Sequence, residues 1–374
     1  MNFNRKTAAP NLTFIFKQLL SKYLKIMKIT TKTFPSRKGE ITWYELTNAQ
    51  GAKVVLSTMG AGIVSVSVPD KNGKIENVAL SYPDGADYIA DGPCLGKVPG
   101  RFANRIGNGQ FKIDGKLYQL DCNAGSAALH GGKEGFQNQN WKPQIIPNGV
   151  RFTYFSKDGE EHYPGNLTAS ATYRWSDDNV LELDLHAETD ADTIINLTNH
   201  AYWNLDGSDA GSILGHELKI KASRWLPQDK NQVSTGELAA VEDTPMDFRE
   251  FKKIGKDINE DFEALHIGKG YDQCWALDDW KPGEMIENAV EIKAEKSGRR
   301  LAISSDQPGG HIYTGNWLAG SPNNFSGRPY EDYEGVAVEM QGFPDAPNHD
   351  NFPSALLRAG ESYDRKVRFA FFAE

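Results

Sequence analysis

From about residue 40 to its end, the chain is a succession of short runs in which apolar and polar residues alternate. Val180-Leu-Glu-Leu-Asp-Leu185 and Val290-Glu-Ile-Lys-Ala294 have the two-residue period of strands with one apolar face. Ile63-Val-Ser-Val-Ser-Val68 runs into the turn residues Pro69-Asp-Lys-Asn-Gly73. Asp114-Gly115 sits between Phe111-Lys-Ile113 and Lys116-Leu-Tyr118, a strong hairpin signal. Ser297-Gly298 separates another strand pair, and Val367 to Phe372 reads as a final strand. Helical periodicity is confined to the stretch from Asp247 to Leu265, where one or two short helices are predicted. No internal repeat, low-complexity tract or linker interrupts residues 40–374. Regularly spaced short strands of this kind predict an all-β chain, one large β-sandwich or barrel with few short helices, with residues 27–374 as one domain.

Composition narrows the function classes. The 374 residues carry a net charge of −9, which argues against a general nucleic-acid or anionic-membrane binder. No apolar run approaches the roughly 18 residues needed to span a bilayer. Cys94, Cys122 and Cys274 are odd in number and widely spaced, which suggests neither a disulfide framework nor a metal site and fits the cytoplasm.

The N-terminus differs from the rest. Residues 1–39 hold nine Lys and Arg and no acid. Leu12, Ile15, Leu19, Tyr23 and Ile26 recur at helical spacing among lysines, as in a basic amphipathic helix. A signal peptide is disfavoured. The apolar core from Leu12 to Phe16 is shorter than the usual length of about 7–15 residues, and no Ala-x-Ala-like site follows it. Residues 1–26 are therefore read as a basic extension outside the fold, either disordered or untranslated with Met27 as the true start.

Five segments carry candidate chemistry. In Gly335-Val-Ala-Val-Glu-Met-Gln341 the alternation puts Glu339 on the strand face opposite the valines, beside Gln341 and just before the loop Pro344-Asp-Ala-Pro347. A carboxylate on a rigid strand is well placed for acid–base work. Gly100-Arg-Phe-Ala-Asn-Arg-Ile106 pairs guanidinium and amide donors, suited to sugar hydroxyls. In Leu129-His-Gly-Gly132 the glycines allow close approach to His130. In Asn196-Leu-Thr-Asn-His-Ala-Tyr-Trp203, a strand would set Asn196, Thr198 and His200 on one face beside aromatic rings that sugars stack on. Gly270-Tyr-Asp272 and the segment around His311 add a carboxylate and an imidazole. The eight histidines show no His-Glu-x-x-His or other compact ligand spacing, and no dinucleotide or phosphate loop is present. The chemistry available is acid–base work by side chains, with no metal and no cofactor.

Taken together, these segments resemble the galactose mutarotase (aldose 1-epimerase) family. The likeness runs from about residue 40 to the C-terminus, with every motif in the family's order. It implies the family's supersandwich, a large antiparallel β-sandwich with an open sugar cleft, and Glu339 as general base and His200 as general acid. It also implies Asn104, Arg105, His130, Asp272 and His311 as substrate-binding residues. Two positions depart from the pattern: many relatives have Gln where this chain has His311, and His where it has Gln273.

The implied reaction interconverts the α and β anomers of free aldoses such as galactose and glucose. Glu339, ionised, would take the anomeric hydroxyl proton; His200, charged or readily protonated, would give one to the ring oxygen. The opened aldehyde would turn and reclose. The partners implied are small aldoses, with no nucleic acid, no membrane span, and a monomer or homodimer as the working unit. Three other readings remain open: a glycoside hydrolase using Asp272 and Glu339, a sugar-phosphate 1-epimerase, and a non-catalytic carbohydrate-binding protein of the same fold.

Overall fold

The computed structural model describes residues 27–89 and 91–374. The readings made for residues 1–26 lie outside this range. Two layers of antiparallel strands make the fold, so of the two all-β architectures the alternating pattern allows, the chain adopts the sandwich. One layer is a nine-stranded sheet whose central members are Leu167–Trp175, Val180–Thr189, Ser362–Ala373 and Arg299–Ser305. The other layer holds a five-stranded meander, Lys28–Phe34 to Ile75–Asn77, and a six-stranded sheet. A bridge between Ala79 and Trp203 joins these two sheets.

The core lies between the layers. Leu181, Leu183 and Leu185 point inward from one strand, and Val367, Phe369 and Phe371 from its neighbour. They meet Val54 and Val66 of the meander and Trp203, Trp275, Val336 and Val338 of the six-stranded sheet. Trp203 packs its ring 5.5 Å from Phe369 and 5.4 Å from Phe371.

The turn signals hold as well. Asp114-Gly115 closes the hairpin of Gln110–Ile113 with Lys116–Gln119, with both turn residues at positive φ. The helical expectation is only partly met. Among the described residues one α-helix occurs, Glu263–Gly268, and the stretch before it is turns and the two-residue strand Lys252–Lys253. The apolar residues there, Phe248 and Ile254, are held in the core by packing against the sheets and need no helical face. No helix among the described residues is long and apolar enough to cross a membrane.

Candidate active site

Three neighbouring strands of the six-stranded sheet form the floor of the site. Val336–Gln341 pairs with Gly309–Tyr313, which pairs with Asp272–Ala276. The register makes two rungs: Ala337–Tyr313–Asp272, and Glu339–His311–Cys274. Because side chains alternate, Val336, Val338, Ile312 and Trp275 face the core, while Glu339, His311, Tyr313 and Asp272 share the opposite face. At about 4.8 Å per strand, the backbones carrying Glu339 and Asp272 lie about 10 Å apart. Glu339 is nevertheless 1% exposed, because loops cover that face.

His200 arrives from the other edge. The segment before Tyr202–Trp203 runs alongside Val336–Gln341, but side chains replace the backbone ladder until Tyr202 pairs with Ala337. Asn196 bonds both the N–H and the C=O of Gly342, and the Thr198 hydroxyl donates to Met340 O. Two residues further on, His200 Nε2 lies 3.3 Å from Glu339 Oε1. The shared face read in the sequence for Asn196, Thr198 and His200 is present, although residues 195–201 form no regular strand. The His200 backbone is clamped: its N–H donates to Lys97 O and its C=O accepts from Gly96 N.

Loops supply the remaining wall. Asn104 and His130 both sit at positive φ, next to the short pair Arg105–Gly107 and Ala127–Leu129. The Asn104 amide donates to His130 Nδ1, and the His130 amide returns a bond to Asn104 O. The His130 ring meets the His200 ring edge-on at 5.4 Å. Arg105 Nη2 lies 3.9 Å from Asp272 Oδ2, and His311 Nε2 lies 2.8 Å from Asp272 Oδ1. The enclosed space is about 180 Å³ and is bordered also by Cys94, Tyr202 and the rim residue Trp317. A wider groove of about 1250 Å³ along residues 243–260 has none of these convergent groups.

Burial dominates the electrostatics. It pushes the Glu339 carboxyl well above the usual carboxylate range, with the charge of Asp272 adding to the shift and Arg105 opposing it. Burial also pulls His200 down to about 4. For Asp272 burial acts upward, but the bonds and charges of His311, Arg105 and Gln232 outweigh it and bring the group to about 2. Glu339 Oε2 and His200 Nδ1 are buried without a hydrogen-bond partner among the described residues.

The amino-acid pattern over residues 42–370 matches the family model described as Aldose 1-epimerase. The chain belongs to the aldose 1-epimerase family. It is 36% identical to a galactose mutarotase from Sus scrofa over 349 residues, covering 92% of this chain and 99% of that one. It is 34% identical to an aldose 1-epimerase from Escherichia coli K12, covering 88% and 94%. The crystal structure of an aldose epimerase homologue from C. elegans superposes with a TM-score of 0.81 at 31% identity, covering 92% of this chain and 99% of that one.

Within this aldose 1-epimerase fold, all seven residues singled out in the sequence border one cavity: Asn104, Arg105, His130, His200, Asp272, His311 and Glu339. Arg101, flagged in the same segment as Arg105, lies elsewhere. Its guanidinium is buried against Pro164 O, Gly165 O and Ser156 Oγ, where it ties loops together. Gln273 faces away from the site, bonding Asp272 N and Ala264 O, so of the two departures from the family pattern only His311 touches the cavity. Gln232 also lines the cavity and was not recognised from sequence, because it lies in a polar loop with no local signature.

The expected ionisation of the central pair needs correction. Glu339 ionised beside a readily protonated His200 suits an open polar cleft, but both groups are desolvated, which favours their uncharged forms. Donor atoms of His130, His200 and Glu339 also lie within 4.8 Å of one another, a grouping that sequence spacing hides. His130 does not suit a metal there. Its Nδ1 accepts an amide hydrogen, so the ring proton sits on Nε2, the nitrogen that would have to coordinate.

Proposed function

We propose that this protein is an aldose 1-epimerase that interconverts the anomers of free aldoses such as galactose and glucose, with Glu339 and His200 as its acid–base pair. The observation that carries the reading is the 3.3 Å approach of two buried titratable groups, each with a further atom lacking a partner among the described residues. Ring opening takes one proton from the anomeric oxygen and delivers one to the ring oxygen, so the pair must hold one proton in total. Starting as carboxylate and imidazolium, Glu339 accepts and His200 donates; the pair ends as carboxylic acid and imidazole. Reclosure on the other face of the carbonyl returns the proton by the reverse route. The uncharged arrangement favoured by burial is thus the one reached after ring opening, and each turnover visits both.

Arg105, Asp272, His130 and Asn104 serve as sugar-binding groups. His130, with its proton on Nε2, offers a donor. Two features weigh against the rival readings. Both Asp272 oxygens are engaged, Oδ1 by His311 and Oδ2 by Gln232, which suits a fixed binding group better than the nucleophile or base of glycoside hydrolysis. With Arg101 engaged elsewhere, Arg105 stands as the guanidinium in the cavity, which is meagre for a phosphate. Three free cysteines fit a cytoplasmic setting. The working unit is a monomer or homodimer.

Polarimetry of freshly dissolved α-galactose and α-glucose tests the reading. Wild type accelerates the change, whereas Glu339→Gln and His200→Asn each lose roughly 10²–10⁴ of the rate. Sugar binding by Glu339→Gln, followed by calorimetry, persists. A folded wild type that binds sugar without accelerating exchange would move the protein to the carbohydrate-binding class.

A further inference from the structure

Gln232 lies in the loop joining Arg224–Leu226 to Ala239–Ala240, far in sequence from the motif residues around it. Its backbone takes the left-handed conformation, φ 60°, and Asp229 pins the turn by accepting from the amides of Asn231 and Val233. The loop is seated against the site on both flanks. Val233 lies against Gly107, and Gly236 packs on the His349 ring so closely that a Cβ at either glycine would clash. Gln232 is therefore presented by a fixed turn.

Its amide bridges two proposed sugar-binding groups. Nε2 donates to Asp272 Oδ2 at 2.8 Å, and Oε1 accepts from Arg105 Nη2 at 2.8 Å. The orientation is unambiguous, because a guanidinium only donates and a carboxylate only accepts. Arg105 and Asp272 remain 3.9 Å apart, spanned by the amide and short of a close ion pair. Together the two bonds use half of the amide's capacity. One N–H and one lone pair of Gln232 remain for a ligand in the cavity it lines.

We infer that Gln232 is a specificity-determining residue that reads a sugar hydroxyl between Arg105 and Asp272, away from the Glu339–His200 pair. The inference rests on the aldose 1-epimerase reading. Its contact is with a non-reacting hydroxyl, so it acts on binding and leaves the proton transfers alone. Removing it discriminates among aldoses that differ at that hydroxyl, because a site built to bond a hydroxyl penalises a ligand that lacks or misplaces it.

The test is the kinetics of mutarotation for wild type, Gln232→Met and Gln232→Asn. Met keeps the length and loses both bonds; Asn tolerates the left-handed backbone but is too short to bridge. Thermal melting of both variants establishes that each is folded. The panel is galactose, its C4 epimer glucose, xylose without the hydroxymethyl group, 2-deoxygalactose and 3-deoxygalactose. KM is expected to rise roughly tenfold for sugars carrying the hydroxyl, with kcat changed by less than about twofold. For at least one member of the panel the penalty vanishes. An equal penalty across the panel, no penalty, or a fall in kcat at constant KM would each overturn the inference. A wild type that does not accelerate anomer exchange removes instead the reading on which it rests.

Discussion

At the residue scale, the acid–base pair is defined by what surrounds it. Glu339 and His200 are 1% and 5% exposed, and among the described residues neither has a counter-charge in hydrogen-bond contact other than its partner. Burial therefore moves their affinities for protons toward and past one another: up for the carboxyl, down to about 4 for the imidazole. Activity needs one proton on the pair. A second proton binds only below the depressed His200 value, and the last one leaves only above the raised Glu339 value. The profile of kcat/KM against pH, corrected for the uncatalysed exchange, is thus expected to have its acid limb near pH 4, below the ordinary histidine range around 6.5, and its alkaline limb where the raised Glu339 carboxyl ionises. An acid limb near pH 6.5 would mean that His200 is hydrated in the working enzyme. Asp272 carries a different pH signature. Its folded-state value of about 2 lies below its unfolded 3.8. It therefore contributes about 2 kcal/mol of stability at neutral pH, fully present above about pH 4 and lost as pH falls toward 2. In Asp272→Asn that part of the acid-induced loss of stability should be absent from melting curves recorded between pH 2 and 5.

At the element scale, a buried ion pair fixes the turn on which His200 leans. Lys97 Nζ lies 3.1 Å from Asp91 Oδ2, both side chains at most 1% exposed, and Lys97 also donates to Tyr88 O. Asp91 further accepts from the Tyr82 hydroxyl and the Leu95 amide. The neighbouring backbone at Gly96 and Lys97 holds His200, and the Tyr202 hydroxyl donates to Pro93 O. Lys97→Met leaves the Asp91 charge uncompensated and should cost about 3–5 kcal/mol, read as a large fall in melting temperature. Replacing both, Lys97→Met with Asp91→Leu, should recover most of that loss, which a purely steric effect would not allow. None of this was legible in the sequence, where Lys97 is one of many lysines and its partner is known only once the turn is folded. The strands were legible because their signal is local. Val180–Thr189 and Gly62–Pro69 show their alternation within a few residues, and Asp114-Gly115 announces its own hairpin. Glu339 and His200 were legible as chemistry because their segments are unusual in themselves. Their mutual protonation was not, since it depends on the loops that bury them. Gln232 was missed because its meaning lies wholly in Arg105 and Asp272, brought together by three separate parts of the chain.

At the scale of the whole molecule, the largest of the apolar clusters among the described residues runs from Met27 to Phe371, the arrangement expected if residues 27–374 fold as a single cooperative domain. Met27 is 8% exposed and belongs to that core, and the strand Lys28–Phe34 pairs along its full length with Ile41–Thr47. Residues 1–26 contribute five basic and no acidic groups, so a chain beginning at Met27 carries a net charge of −14 where the full sequence has −9. A charge change of that kind alters solubility and non-specific association more than it alters the fold. The chain from Met27 is therefore expected to match the full-length protein in mutarotation rate and in melting temperature. A chain beginning at Phe34 should not: it strips the edge strand from the meander, uncovers the Ile41–Thr47 ladder and removes Met27 from the core, inviting edge-to-edge association and a lower melting point. Differential scanning calorimetry with light scattering on the three chains separates the cases. Loss of activity or stability already at the Met27 boundary would show that residues 1–26 belong to the folded domain.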